Sequence, residues 1–139
     1  MLKKLLLTAF ALVLALGAGT YLALESGGVI TVTTTNQSTQ SARETHIWYV
    51  LREGEILLEA GNPNNPWVAD LERSSEVQLS GDGLDGRYRL EIIQGEAGHA
   101  EIRGLMRDRY GWRDIWVAAL FDTTQSRKVI AHPTTAAAR

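Results

Sequence analysis

The chain opens on an unbroken apolar run and then changes to short stretches of β-branched and alternating residues. Leu5 to Leu24 carries no charge, with Lys3 and Lys4 before it and Glu25 after it. As a helix this run measures about 30 Å, the thickness of a bilayer's hydrocarbon core. It has no polar face, which argues against a helix buried in a soluble core. The pattern predicts a single-pass membrane anchor over residues 1–26. Leu5–Leu16 followed by Gly17-Ala18-Gly19 also fits the apolar region and cleavage site of a secretory signal. The continuation through Tyr21-Leu22-Ala23-Leu24 favours the anchor.

From residue 27 the period shortens. Val29–Thr35 (VITVTTT) and Thr45–Leu51 (THIWYVL) read as strands because β-branched and aromatic residues fit a pleated surface. A turn at Arg52–Glu55 leads to a third strand, Ile56–Ala60. Gly61-Asn62-Pro63-Asn64-Asn65-Pro66 is a loop by composition, and Pro66 suits the start of a short helix, Trp67–Arg73. Glu76–Leu79 and Arg87–Gln94 flank a glycine-rich connection and form a hairpin. In the second of these, Tyr88, Leu90 and Ile92 share one face, and Arg87, Arg89 and Glu91 share the other.

Glu96–Tyr110 changes to a helical period, with Ile102, Leu105, Met106 and Arg109 on one stripe. A further helix over Ile115–Phe121 and a closing strand at Lys128–Ala131 complete the pattern. About six mostly antiparallel strands with short helices predict an α+β domain built on a small barrel over residues 27–133. Residues 134–139 read as a frayed tail.

Charge adds orientation and removes one class of partner. Lys3 and Lys4 lie before the apolar run, and no Lys or Arg follows it until Arg43. The positive-inside rule therefore puts the domain on the extracytoplasmic side of the cell membrane. The whole chain has 14 basic and 16 acidic residues and no basic tract, which argues against nucleic acid. The chain has no cysteine, so disulfides and thiolate chemistry are excluded.

The ordinary catalytic signatures are missing. His46, His99 and His132 show no metal-ligand spacing, and no metal site is expected. No serine lies in a nucleophile elbow, and no glycine-rich phosphate loop occurs. Arg103, Arg107 and Arg113 are interleaved with Glu101, Asp108 and Asp114, which predicts a salt-bridged solvent face. The polar segment Asn36–Arg43 could hold a phosphate through backbone N–H groups, hydroxyls and one guanidinium, or be a plain surface turn. Trp48, Tyr49, Trp67, Tyr110, Trp112 and Trp116 are many aromatics for this length. Trp48 and Tyr49 must point to opposite faces of their strand.

Taken in order, Thr33-Thr34-Thr35, Arg43-Glu44-Thr45, Gly61-Asn62-Pro63, Trp67-Val68-Ala69-Asp70-Leu71 and Arg109-Tyr110-Gly111-Trp112 resemble the deazaflavin-dependent nitroreductase (quinone reductase-like) family. That family lies within the flavin-binding split-barrel superfamily that includes pyridoxamine phosphate oxidases. The resemblance spans Gly27 to Pro133. It implies a split β-barrel, often dimeric, with coenzyme F-420 or FMN in a groove and hydride transfer to a quinone-like or nitro acceptor.

The resemblance also implies site residues. Thr34 and Thr35 would lie near the cofactor ring, and Trp48 or Tyr49 along it. Ser38, Thr39 and Arg43 would serve its phosphate, and Trp67 would pack the loop. Tyr110 and Trp112 would sit at the substrate mouth. The family's Gly-Arg-x-Ser-Gly loop is Asn36-Gln37-Ser38-Thr39-Gln40 here, without its glycines or its basic residue, and its following proline is His46. The rival reading is a non-catalytic split barrel that binds a ligand or a partner outside the membrane. The altered loop favours that rival. So does an extracytoplasmic address, because reduced deazaflavin is made in the cytoplasm in the family's known settings.

Overall fold

A computed structural model describes residues 1–134. The predicted tail is therefore visible only at Thr134, whose N–H and hydroxyl both donate to the carbonyl of Arg87; residues 135–139 lie outside the description. Among the described residues the order is α1 (Leu2–Glu25), β1 (Val29–Thr35), β2 (Ala42–Arg52), β3 (Glu55–Ala60), α2 (Pro66–Asp70), β4 (Glu76–Gly81), β5 (Leu84–Ile93), α3 (Glu96–Tyr110), α4 (Trp112–Leu120) and β6 (Arg127–Pro133). The strands close into a barrel in the order β1-β2-β3-β6-β5-β4, every pairing antiparallel. The expected split-barrel architecture, with an apolar helix of membrane-spanning length in front, is the one observed.

Element boundaries move where pairing outruns composition. β2 starts at Ala42, earlier than the β-branched pattern suggests, because Ala42, Arg43 and Glu44 pair with Thr35, Thr34 and Thr33. The glycine-rich 81–86 connection shrinks to a two-residue turn, since Asp82 and Gly83 both take positive φ (51° and 83°). That geometry matches the twist of the flanking strands. α2 stops at Asp70, and α4 begins three residues before the predicted Ile115.

Alternation along the strands builds two cores. Ile30, Val32, Ile47, Tyr49, Leu58, Leu79, Leu90 and Val129 fill the barrel, and Trp67, Val68 and Leu71 from the α2 region join them. On the outer wall, Trp48, Val50 and Leu57 pack under Ile102, Met106 and Tyr110 of α3. Trp48 and Tyr49 thus serve opposite sides of one strand, as the two-residue period requires. Arg103 departs from the predicted solvent face. It is 8% exposed and bonds Glu59 Oε1 on β3 at 2.7 Å and Asp114 Oδ1 on α4. Its side of α3 is the one that α4 covers, and only a paired charge survives there.

α3 ends in a wedge. The ring of Tyr110 stacks on Trp48 (centroids 4.1 Å apart, 9° between planes). Its hydroxyl enters the place where the β1–β2 ladder stops, just past the Val29–Trp48 pair. There it accepts the Tyr49 N–H at 3.0 Å and donates to Gly28 O at 2.8 Å, with Tyr49 O at 3.0 Å. Tyr110→Phe removes the acceptor of a buried N–H. It should lower the unfolding free energy by about 1–3 kcal/mol, read as an earlier denaturation midpoint of the detergent-solubilised chain. An unchanged midpoint would show that the wedge acts through its ring alone.

Candidate functional site

Two features qualify as sites, and they are separate. The first is the corner where the β1–β2 connection meets α2. Asp70, at the end of α2, is 4% exposed and faces Thr34, Arg43 and Gln37. Thr34 Oγ1 donates to Asp70 Oδ2 at 2.7 Å, and Arg43 Nε donates to the same oxygen at 2.8 Å. The Gln37 N–H donates to Oδ1 at 3.2 Å, and the Gln37 carboxamide reaches the carbonyl of Ala69. Burial alone would raise the Asp70 carboxyl. The hydrogen bonds from Thr34, Arg43 and Gln37, with the guanidinium charge, outweigh it and hold the group below the ordinary carboxylate range.

The loop itself is closed by its own side chains. Asn36 Oδ1 accepts the N–H groups of Ser38 and Thr39 at 2.9 and 3.3 Å, and the Thr39 and Ser41 hydroxyls lie 2.6 Å apart. A phosphate held by Ser38, Thr39 and Arg43 would have to displace Asn36 from both amides and would meet a guanidinium whose charge Asp70 already offsets. As arranged, these residues do not fit the phosphate of FMN or F-420. Thr34 is buried against Asp70, while Thr35 is exposed at the end of its strand. Asp70 escaped the sequence reading as a site residue. Its one signal was an acidic residue inside the Trp67–Leu71 segment, on a helix face that turns inward.

The second feature is the split itself. β2 pairs with β3 only from Tyr49 to Arg52, so its stretch from Ala42 to Trp48 has β1 on one side and no strand on the other. A cleft of about 460 Å³ opens there. Thr45, His46, Ile47 and Trp48 form one wall, and Gly61, Asn62, Asn65 and Trp67 form the other. Leu24 and Glu25 of α1, with Val117, Phe121, Asp122 and Thr123 from the α4 region, close the floor. This volume lies within the range of small-molecule sites.

Trp48 and Trp67 meet at this cleft, although both are largely enclosed, at 8% and 2% exposure. Trp48 is fixed by Tyr110 on one side and by its indole N–H to Leu24 O at 2.9 Å. Tyr110, at 1% exposure, is a wall element, and Trp112 is 56% exposed on α4. Neither lines the cleft. The lining includes Glu25, Glu59 and Asp122 but no Lys or Arg. Glu59 is paired with Arg103, and Glu25 Oε2 lies 3.0 Å from His46 Nδ1. Such a rim offers an anion no Lys or Arg and accepts a neutral ligand. Among the described residues no three His, Asp or Glu side chains gather to hold a metal ion.

No family profile matches the chain, and no curated protein matches it. Solved structures do. A conserved hypothetical protein from Mycobacterium tuberculosis superposes with a TM-score of 0.60 at 16% identity, over 84% of this chain and 78% of that one. An F-420-H2 dependent reductase matches at 0.52 and 17%, over 73% of this chain and 92% of its own. A pyridoxamine 5'-phosphate oxidase homologue from Listeria innocua matches at 0.53 and 13%, over 81% and 89%. The fold is therefore the split barrel, an architecture that this chain shares with reductase and oxidase-type proteins.

The Asp70 corner predicts a pH dependence. Because the folded carboxyl is depressed, its contribution to stability is complete above the unfolded value of about 3.9. It is lost as pH falls through the lower folded-state value. Asp70→Asn should cost about 1.5–3 kcal/mol at neutral pH. The gap between variant and wild type should close on acidification, as followed by denaturation midpoints at a series of pH values. A gap that stays constant with pH would refute the role given to the charge.

Proposed function

We propose that this chain is a membrane-anchored split-barrel domain that binds a flat, uncharged ring system in the cleft between β2 and the 61–66 loop. The observation that carries this reading is a contrast between the two sites. The cleft has aromatic walls and an acidic rim, whereas Arg43, the cation that would grip a phosphate, is held by Asp70. Binding without catalysis follows most simply from that contrast. In this reading α1 is the anchor, and the support for a domain outside the cytoplasm is the pair Lys3 and Lys4 ahead of the apolar run. A homodimer, which the family resemblance implies, belongs to the same reading.

A second reading keeps the chemistry: a reductase that uses F-420 or FMN to pass hydride to a quinone-like or nitro acceptor. Its support is the fold shared with an F-420-H2 dependent reductase. In that reading the cofactor supplies the hydride chemistry, and the protein would have to rebuild the Asn36–Arg43 loop around a phosphate.

One titration separates the two. The detergent-solubilised full chain is titrated with riboflavin, FMN, FAD and F-420, following tryptophan fluorescence. Riboflavin should bind within about threefold of FMN, because no phosphate contact is available; such a contact would give FMN at least tenfold tighter binding. A tenfold preference for FMN or F-420 would overturn the first reading and favour the second. Binding of none of the four would sink both.

A further inference from the structure

Where the domain sits relative to the bilayer follows from the length of α1 that it leaves uncovered. This inference rests on the reading of α1 as a membrane span. Every residue from Leu2 to Ala18 is exposed, whereas Gly19 and Thr20 are half-buried and Ala23 is fully buried. The uncharged stretch free of the domain, Leu5–Ala18, is about 21 Å long as a helix. A hydrocarbon core is about 30 Å thick, so this stretch falls short by about 9 Å, and tilting would only widen the gap. The missing length is Gly19–Leu24, the stretch whose Gly19 and Thr20 meet Trp116 of α4 while Tyr21 and Leu22 stay exposed.

α4 descends along that segment. Arg113 Nε bonds Ser26 Oγ at 3.1 Å, and one turn further Trp116 Nε1 bonds Thr20 Oγ1 at 3.1 Å. Gly19 admits the indole, since a Cβ there would meet Trp116 Cζ2 at 3.4 Å. The amino end of α4 is thus level with the polar end of α1, and Trp116, one turn further, is level with the apolar run of α1. The composition follows the same gradient. From Ile115 to Phe121 there is no charge, and Ile115, Leu120 and Phe121 are 64%, 44% and 51% exposed. Asp114 is buried against Arg103, and the next charge, Asp122, comes just past the segment. A helix with one polar end and an uncovered apolar stretch suits the boundary between headgroups and acyl chains.

We propose that α4 is a membrane-interface helix. Its Ile115–Phe121 stretch is covered by the headgroup–acyl layer beside the end of α1, and the barrel is seated directly on the bilayer. Leu24, Val117 and Phe121 belong both to this buttress and to the floor of the cleft. The floor of the cleft is then the part of the site nearest the lipid surface.

The absence of cysteine makes the test clean. Leu12→Cys, Leu120→Cys and Thr39→Cys variants of the full chain are labelled with an environment-sensitive fluorophore. They are reconstituted into phosphatidylcholine vesicles that contain nitroxide lipids quenching at shallow or deep positions. The Leu12 label should be quenched best by the deep nitroxide. The Leu120 label should lose about half its emission to the shallow one, and the Thr39 label should be unaffected. Quenching at Leu12 with none at Leu120 overturns the inference and leaves the anchor standing. A Leu120 label with apolar emission but no quenching means that protein, such as a second copy, covers the face, and this too overturns it. No quenching at Leu12 overturns the anchor and the inference together.

Discussion

Tyr110 closes α3 with its ring between Trp48 and the backbone of Gly27 and its hydroxyl in the gap between β1 and β2. Gly27 tolerates no side chain there, because a Cβ would lie 2.6 Å from the Tyr110 ring. Trp48 passes the contact on to α1 through its bond to Leu24 O. The helix layer, the barrel wall and the apolar helix are therefore keyed to one another at a single dry junction. Burial of two stacked aromatics supplies the energy, and the hydroxyl satisfies backbone groups that a pure hydrocarbon wedge would strand. The cleft depends on this junction, since the junction fixes the wall formed by Trp48 and the floor formed by Leu24.

A second constraint sets what that cleft can hold. In a barrel closed along most of its strands, a split must be kept open by elements that have somewhere else to go. β2 is drawn to β1 along its first half, while the chain after β3 turns away through the 61–66 loop into α2. Asp70 ties α2 back to β1 and β2 through Thr34, Arg43 and Gln37. The ion pair that stabilises the split thus also offsets the charge of the cation nearest the Asn36–Gln40 loop. Part of the guanidinium's charge is thereby committed to stability.

The acidic rim and the apolar floor complete one picture. Under the proposed reading, a cleft without Lys or Arg in its lining, walled by aromatic side chains and floored in part by α1 and α4, suits neutral, membrane-soluble compounds. The Asn36–Gln40 loop, without the glycines that the family resemblance implies, fits the same reading.

The sequence by itself determined the elements and their faces. The charge-free Leu5–Leu24 run, the β-branched Val29–Thr35, the opposed Trp48 and Tyr49 and the helical stripe of Ile102 and Met106 all rest on local periodicity, which is printed in the order of residues. The strand pattern predicted a small barrel, and the family resemblance implied that it is a split one. Only the tertiary structure decided which charges are free. Arg43 and Arg103 looked like exposed cations, yet each is held by carboxylates distant in sequence, Asp70 for one and Glu59 with Asp114 for the other. Tyr110 likewise became a packed wedge against Trp48, which itself walls the cleft. Pairings of this kind are set by which surfaces meet after the chain closes, and spacing along the chain carries no record of them.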